Sequence, residues 1–291
     1  MIKKRLIRNA KKVDQFLIRF LKKQQRSTLV IPMKYGVISG GKKIRSTIIC
    51  DTGKLLNIKA NKLLNICAAV ECIHSYSLIH DDLPCMDNDA MRRGKPSTHK
   101  KFGEATAVLA GSSLLTLAFE IISDKKNLIS NSKKIKIVRL LSNCSGHTGI
   151  AGGQELDLKF ENKKKKLDQI IDMQRKKTGK LFSFCLQSVA IIGNKNTKEI
   201  NKFAKLGEEI GLLFQLTDDL LDIKGNKKLV GKPIKKDKKK GKSTLINLIG
   251  YENTLRYADK LRKNILIKLK KRGKNAQELI NTIEFIQSRK Y

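Results

Sequence analysis

Glu71-Cys72-Ile73-His74-Ser75-Tyr76-Ser77-Leu78-Ile79-His80-Asp81-Asp82-Leu83-Pro84-Cys85-Met86-Asp87 is the stretch on which the reading of this chain turns. From Leu55 to His80 the sequence is largely apolar, with little to break a helix before Pro84 removes a backbone donor and stops it. Asp81 and Asp82 are therefore expected at the C-terminal end of a buried helix. There the helix dipole opposes carboxylates by about 0.3–1 kcal/mol each. A bound cation would lift that penalty. Pro84 also lets the chain turn back, so that Asp87 can approach Asp81.

A second acidic cluster, Asp218-Asp219-Leu220-Leu221-Asp222, closes another apolar helix. Asp218 and Asp222 are four residues apart and share a helix face, while Asp219 points about 100° away. Both clusters lie in gaps of a very basic chain. The 62 Lys and Arg against 26 Asp and Glu give a formal charge of +36, yet residues 63–91 and 206–223 contain no Lys or Arg. Carboxylate-only sites select hard cations that complete their shell with water and phosphate oxygens, which points to Mg²⁺. Cations recur near the clusters: Arg92-Arg93-Gly94, Lys177-Thr178-Gly179-Lys180, Gly231-Lys232 and Gly241-Lys242-Ser243-Thr244. Fixed cations opposite metal-binding carboxylates make a two-sided clamp for a diphosphate.

The remainder of the sequence narrows the class. With 40% apolar residues, four prolines and few aromatics, the 291 residues read as one all-α domain over 1–291 without an internal linker. Helices are expected over Ala105 to Ser123, Lys133 to Cys144, Lys166 to Ile192, Ile200 to Ile223, Asn253 to Leu269 and Asn275 to Ser288, after an amphipathic first helix built on Val13, Phe16, Leu17, Phe20 and Leu21. No segment alternates as a strand. The lysine excess is scattered, without interleaved aromatics or zinc-finger spacing, and reads as a solvated surface rather than a specific nucleic-acid interface. A basic non-catalytic subunit or nucleic-acid binder is the alternative of a different class, and loss of either aspartate motif would favour it. Both motifs are intact. Six cysteines without Cys-x-x-Cys spacing read as reduced core thiols of a cytoplasmic protein. The N-terminus lacks an apolar signal core, and Ala105 to Phe119 is too short and too polar to span a bilayer. His74 and His80, six apart, do not suit a shared zinc ion.

The segment from Glu71 to Asp89 continued by Arg92-Arg93-Gly94-Lys95-Pro96, with Phe214-Gln215-Leu216-Thr217-Asp218-Asp219-Leu220-Leu221-Asp222, resembles the trans-isoprenyl diphosphate synthases, especially the bacterial farnesyl-producing branch. The resemblance extends to Gly40-Gly41-Lys42, to Gly152-Gly153-Gln154-Glu155-Leu156-Asp157-Leu158 and to Lys177-Thr178. It implies a dimeric helical bundle in which both aspartate motifs face a deep cavity. It also implies an enzyme joining isopentenyl diphosphate to dimethylallyl and then geranyl diphosphate, with farnesyl diphosphate as product. Geranyl or geranylgeranyl diphosphate are the alternative products.

Site roles follow from the same resemblance. Asp81 and Asp87 would hold two Mg²⁺ and Asp218 a third, with Mn²⁺ able to replace them; Asp82 and Asp219 complete the two motifs. Arg92, Lys177 and Lys232 would hold the allylic diphosphate, Lys242 belongs to the same basic set, and Lys42, Arg45, His74 and Arg93 would hold that of isopentenyl diphosphate. Thr178 and Gln215 would lie near the developing allylic cation. Released diphosphate would take the proton, so no catalytic His or Cys is expected. Tyr76, five residues before Asp81, resembles the aromatic stop of fifteen-carbon producers, and small Ser77 leaves room beyond ten carbons. The chain departs from the usual pattern at Ser46, where proline is common, at Ser112, where an acid is common, and in Pro233-Ile234-Lys235-Lys236-Asp237, where a glycine is usual.

Overall fold

The computed structural model describes residues 2–24, 27–38, 40–229 and 244–288. Among these residues helix dominates and the only strands are two of two residues each. The chain divides into two compact units, one of Met1–Gly53 with Asn57–Arg139 and one of Lys54–Leu56 with Leu140–Tyr291.

In the first unit α1 (Ile2–Lys22) buries the stripe predicted from its period, with Leu6, Val13, Leu17, Phe20 and Leu21 inside. It is followed by α2 (Val30–Val37) and α3 (Ile44–Leu55). The expected apolar helix is shorter than its apolar run. Asn57 takes a left-handed φ of 56° and Ile58 donates to the Gly53 carbonyl at 2.8 Å, so the chain turns before α4 (Leu64–Asp81) begins. An αL asparagine after a helix satisfies its last carbonyls and ends it. Twelve residues of α4 are buried, from Asn65 to Ile79, which is why it shows no polar face to periodicity.

After α4 the chain forms a two-residue hairpin, β1 (Met91–Arg92) against β2 (Lys95–Pro96). Arg93 and Gly94 at its tip both have positive φ, 54° and 73°, as a tight hairpin of this hand requires. Periodicity over so few residues gave no strand signal. Then come α5 (Thr98–Phe102) and α6 (Glu104–Ser123), with α7 (Asn131–Ser145) leading on. The α6 helix outlasts the apolar segment read from sequence and is long and apolar enough to cross a membrane by length and composition. Its Ala107, Ala110, Leu114, Leu117, Ala118 and Ile121 are buried, and it packs on α4, as a core helix does.

The second unit contains α8 (Ile150–Phe160), α9 (Leu167–Gln174), a π-helical turn (Arg175–Gly179), α10 (Lys180–Ile192) and α11 (Thr197–Leu229). It closes with α12 (Leu245–Ile249), α13 (Tyr251–Lys270) and α14 (Gln277–Ser288). The single helix expected over residues 166–192 is thus interrupted by one wide turn. Such turns concentrate at functional positions, and this one carries Lys177 and Thr178. Two glycines permit it. A side chain at Gly153 of α8 would run into the backbone of Lys177, and one at Gly211 of α11 would meet the Gly179 Cα at 2.6 Å.

Gly153→Ala should therefore lower stability by about 1–3 kcal/mol, because backbone rather than a flexible side chain blocks the added methyl. A thermal melt checks this; an unchanged Tm would mean that α8 can slide off the π turn at no cost.

Candidate active site

The first acidic cluster is a knot of backbone hydrogen bonds at the end of α4. Asp87 N–H donates to the Asp81 carbonyl at 2.8 Å, Asn88 N–H to Leu83 at 3.0 Å and Asp89 N–H to Asp82 at 3.2 Å. The fold-back expected at Pro84 thus exists, and it sets residues 81 and 87 side by side although six positions separate them. Asp81 and Asp87 are half-buried.

Asp82 differs from both. Its carboxylate is buried and accepts from Arg92 Nε at 3.0 and 3.3 Å and from Arg92 Nη2. Burial pushes this carboxyl above the ordinary carboxylate range, while the hydrogen bond and charge of Arg92 pull the other way. Asp82 thus anchors one edge of Arg92, with Asp89 Oδ2 at 3.6 Å from the same guanidinium.

A cationic nest surrounds His74 on α4. Arg45, Arg93, Lys43 and Arg92 all act on its ring, and burial, followed by these charges, holds its pKa well below that of a free imidazole. Arg93 Nη1 donates to the Gly40 carbonyl at 2.5 Å, and Lys43 is held by Asp14 at 3.1 Å and by the Val37 carbonyl at 3.0 Å. Lys42 is exposed at the rim of this basic segment. Four of the residues expected to hold an anion, Arg45, His74, Arg92 and Arg93, are thus brought together here. Glu71, which sequence reasoning passed over, braces the nest: it is buried and accepts from Ser46 N–H at 3.2 Å and Ser46 Oγ at 2.7 Å.

Tyr76 is buried one to two turns behind Asp81, edge-on to His80 with ring centroids 5.6 Å apart. His80 Nε2 in turn meets the Val108 carbonyl of α6 at 3.1 Å. A side chain at Gly111 would strike that imidazole, so glycine there is what lets the brace form. Ser77, half-buried, donates to the His74 carbonyl at 3.0 Å.

In the second unit a partly buried network links α8, the π turn and α11. Lys177 Nζ donates to Asp157 at 2.5 Å, Thr178 Oγ1 to Gln215 Oε1 at 2.9 Å and Gln215 Nε2 to Asp219 at 2.9 Å. Gln174 Nε2 reaches the other oxygen of Asp219 at 3.3 Å. Asp219 is buried, whereas Asp218 is half-buried and Asp222 exposed, as their angular separation on a helix predicts. Asp157 and Gln174 were missed as partners. The signal for Asp157 was present in the Gly152 to Leu158 motif, since a lysine placed inside an apolar helix needs a counter-ion. Gln154, three residues before Asp157, is buried with neither amide atom hydrogen-bonded. Lys232 and Lys242 lie outside the described residues.

The donors of both clusters are carboxylate oxygens, and among the described residues no three His, Cys, Asp or Glu side chains form a ready metal cage. Carboxylate donors fit Mg²⁺, which takes one or two of them and completes its shell with water and substrate phosphate.

Residues 26–283 match the description of polyprenyl synthetases. This chain belongs to the polyprenyl synthetase family. The farnesyl diphosphate synthase of Escherichia coli K12 is 42% identical over 252 residues, covering 85% of this chain and 84% of that one. Among solved structures, a FPP/GFPP synthase from Zymomonas mobilis superimposes with a TM-score of 0.88 at 36% identity, covering 98% of both chains. A geranyltranstransferase from Thermotoga maritima does so at 0.83 and 32%, covering 98% of this chain and 99% of that one. In this polyprenyl synthetase the all-α architecture is thus that of its relatives.

The depressed pKa of His74 has a consequence for stability. Unfolded, the imidazole takes up a proton near pH ~6.5; folded, it resists until well below. As pH falls through that range the unfolded state binds more protons, so stability drops. Melting temperature should fall between about pH 7.5 and 5.5, and fall less in His74→Gln. Identical slopes in the two proteins would show that His74 is not the group responsible.

Proposed function

We propose that this polyprenyl synthetase condenses isopentenyl diphosphate with dimethylallyl diphosphate and then with geranyl diphosphate, head to tail, to give farnesyl diphosphate. The observation that carries the reading is the pairing of Asp81 with Asp87 by the 2.8 Å fold-back bond, at the end of an apolar helix with Tyr76 buried behind. Curated relatives sharing 38 to 42% identity over most of the chain carry the farnesyl diphosphate synthase name, which supports it.

Asp81 and Asp87 would hold Mg²⁺ against the allylic diphosphate, and Asp218 a further ion, three in all, with Mn²⁺ a workable substitute. Bound metal would supply neutralisation of the departing diphosphate. Lys177 and Arg92 hold that diphosphate, their partners Asp157 and Asp82 keeping the ammonium and the guanidinium in place. Lys232 and Lys242 join this set on sequence alone. Lys42, Arg45, His74 and Arg93 receive the diphosphate of isopentenyl diphosphate, with a neutral imidazole able to donate from one ring nitrogen. As the allylic carbon–oxygen bond ionises, the oxygens of Thr178 and Gln215, fixed to each other at 2.9 Å, face the developing positive charge. The apolar wall of α4 keeps water away while the isopentenyl double bond attacks. The released diphosphate takes the proton.

The chain would act as one synthase domain and as a homodimer in the cytoplasm, needing no specific nucleic acid. All six cysteines are thiols, which accords with a reducing compartment.

Incubating the purified protein with the two five-carbon substrates and Mg²⁺ should give a fifteen-carbon diphosphate, and chelation should abolish it. Asp81→Asn and Asp218→Asn should each lower kcat by about 10²-fold or more. Activity unaffected by chelator would end the proposal.

Tyr76→Ala should lengthen products to twenty carbons or beyond and Ser77→Phe should shorten them to ten, read by chromatography of the dephosphorylated alcohols. An unaltered product profile in both variants would remove Tyr76 and Ser77 from chain-length control.

A further inference from the structure

Helices α3 and α4 meet along a line of paired contacts. Ser46 and Cys50, four apart, lie on one face of α3; Cys67, Glu71 and His74, spaced by four and three, lie on one face of α4. Ser46 Oγ donates to the Cys67 carbonyl at 3.1 Å and to Glu71 at 2.7 Å, and the Cys67 thiol faces the Ser46 carbonyl at 3.6 Å. One turn further along, the Sγ atoms of Cys50 and Cys67 are 3.9 Å apart. Both are thiols, Cys50 partly open to solvent and Cys67 buried.

We infer that Cys50 and Cys67 are a modification site, a thiol pair that closes to a reversible disulfide when the protein meets a peroxide. The asymmetry in exposure orders the steps. The sulfur of Cys50, the more exposed residue of the two, attacks the peroxide oxygen; the O–O bond breaks, Cys50 becomes a sulfenic acid and water leaves. The Cys67 sulfur then attacks the Cys50 sulfur, the S–S bond forms, and hydroxide departs with the Cys67 proton as a second water. Two thiols and one hydrogen peroxide give one disulfide and two waters. A disulfide spans about 2.05 Å, so closure shortens the gap by roughly 2 Å and draws α3 toward α4.

That movement bears on the basic nest, because Arg45 immediately precedes Ser46 and His74 lies two turns beyond Cys67 on the same face of α4. The effect on substrate, unlike the cross-link itself, rests on the proposed role of Arg45 and His74 in holding isopentenyl diphosphate. Closure should raise KM for isopentenyl diphosphate about tenfold, the size of one weakened charged hydrogen bond, and reductant should restore it.

The test treats the full-length protein with hydrogen peroxide and maps its peptides by mass spectrometry. The expected result is a Cys50–Cys67 linked peptide lacking two hydrogens, lost on reduction and absent from Cys50→Ser and from Cys67→Ala. Exposed Cys85 reacts equally in every protein, so the KM comparison between untreated and treated wild type is made against treated Cys50→Ser. Cys50 found as sulfinic acid with Cys67 still a thiol would overturn the inference. A linked peptide with unchanged KM would overturn its consequence for substrate binding, and it would do so independently of whether the protein makes farnesyl diphosphate.

Discussion

Carboxylates gather here at the C-terminal end of an apolar helix, where helix dipole and mutual repulsion both oppose them. The hydrogen bond from Asp87 N–H to the Asp81 carbonyl makes the arrangement specific, since it closes the loop through Pro84 by backbone alone and brings the two residues together. Within the cluster the three aspartates divide the work. Asp82 is turned inward and held by Arg92, which stabilises the turn and orients a cation, while Asp81 and Asp87 keep partial exposure.

The second unit repeats the same division with different chemistry. Asp219, the middle residue of its motif, is buried between two amide donors, Gln174 and Gln215, and Asp218 and Asp222 occupy the other side of α11. In both motifs one aspartate is buried and its neighbours are more exposed. A buried carboxylate without a partner would be expensive to keep, so each inward aspartate comes with donors that lock a functional group: the Arg92 guanidinium in one unit, the Gln215 amide and through it Thr178 in the other. The same test sorts the lysines of this highly basic chain. Exposed pairs such as Lys159–Glu155 and Lys176–Asp172, one helical turn apart, are worth a few tenths of a kcal/mol at most (~0.3–0.5). Lys177 reaches a largely buried carboxylate from a π-helical turn, and there the position of the charge is fixed.

Much of this was legible in the sequence because it depends on local rules. Pro84 predicted the fold-back, the spacing of Asp218 and Asp222 predicted their shared face, and the apolar runs predicted most helices to within a few residues. What could not be read depends on partners distant in sequence or on very short elements. Arg92 was expected as an anion ligand, but its grip on Asp82 requires the hairpin whose two-residue strands leave no periodic trace. Asp157 needed Lys177 across twenty residues, and the π turn breaks a helix without any proline or unusual composition to announce it. Cys50 and Cys67 are seventeen residues apart, and only the packing of α3 on α4 makes them neighbours.

The departure at Ser46 shows how the basic nest survives a change that sequence alone marks as a loss. Proline at this point of a helix fixes φ and lacks an N–H, which is harmless in a first turn because that donor has no intrahelical acceptor. Serine restores the donor and adds a hydroxyl, and both are directed at one oxygen of buried Glu71. Glu71 is thereby satisfied from α3 itself, and its charge acts on Arg93, whose guanidinium closes over Gly40 and Gly41. The rigidity that a proline ring would have provided is replaced by hydrogen bonds that tie α3 to α4 at the residue next to Arg45. Those bonds hold the start of α3 only while the two helices keep their spacing, so the substitution trades a covalent constraint for one that depends on its surroundings.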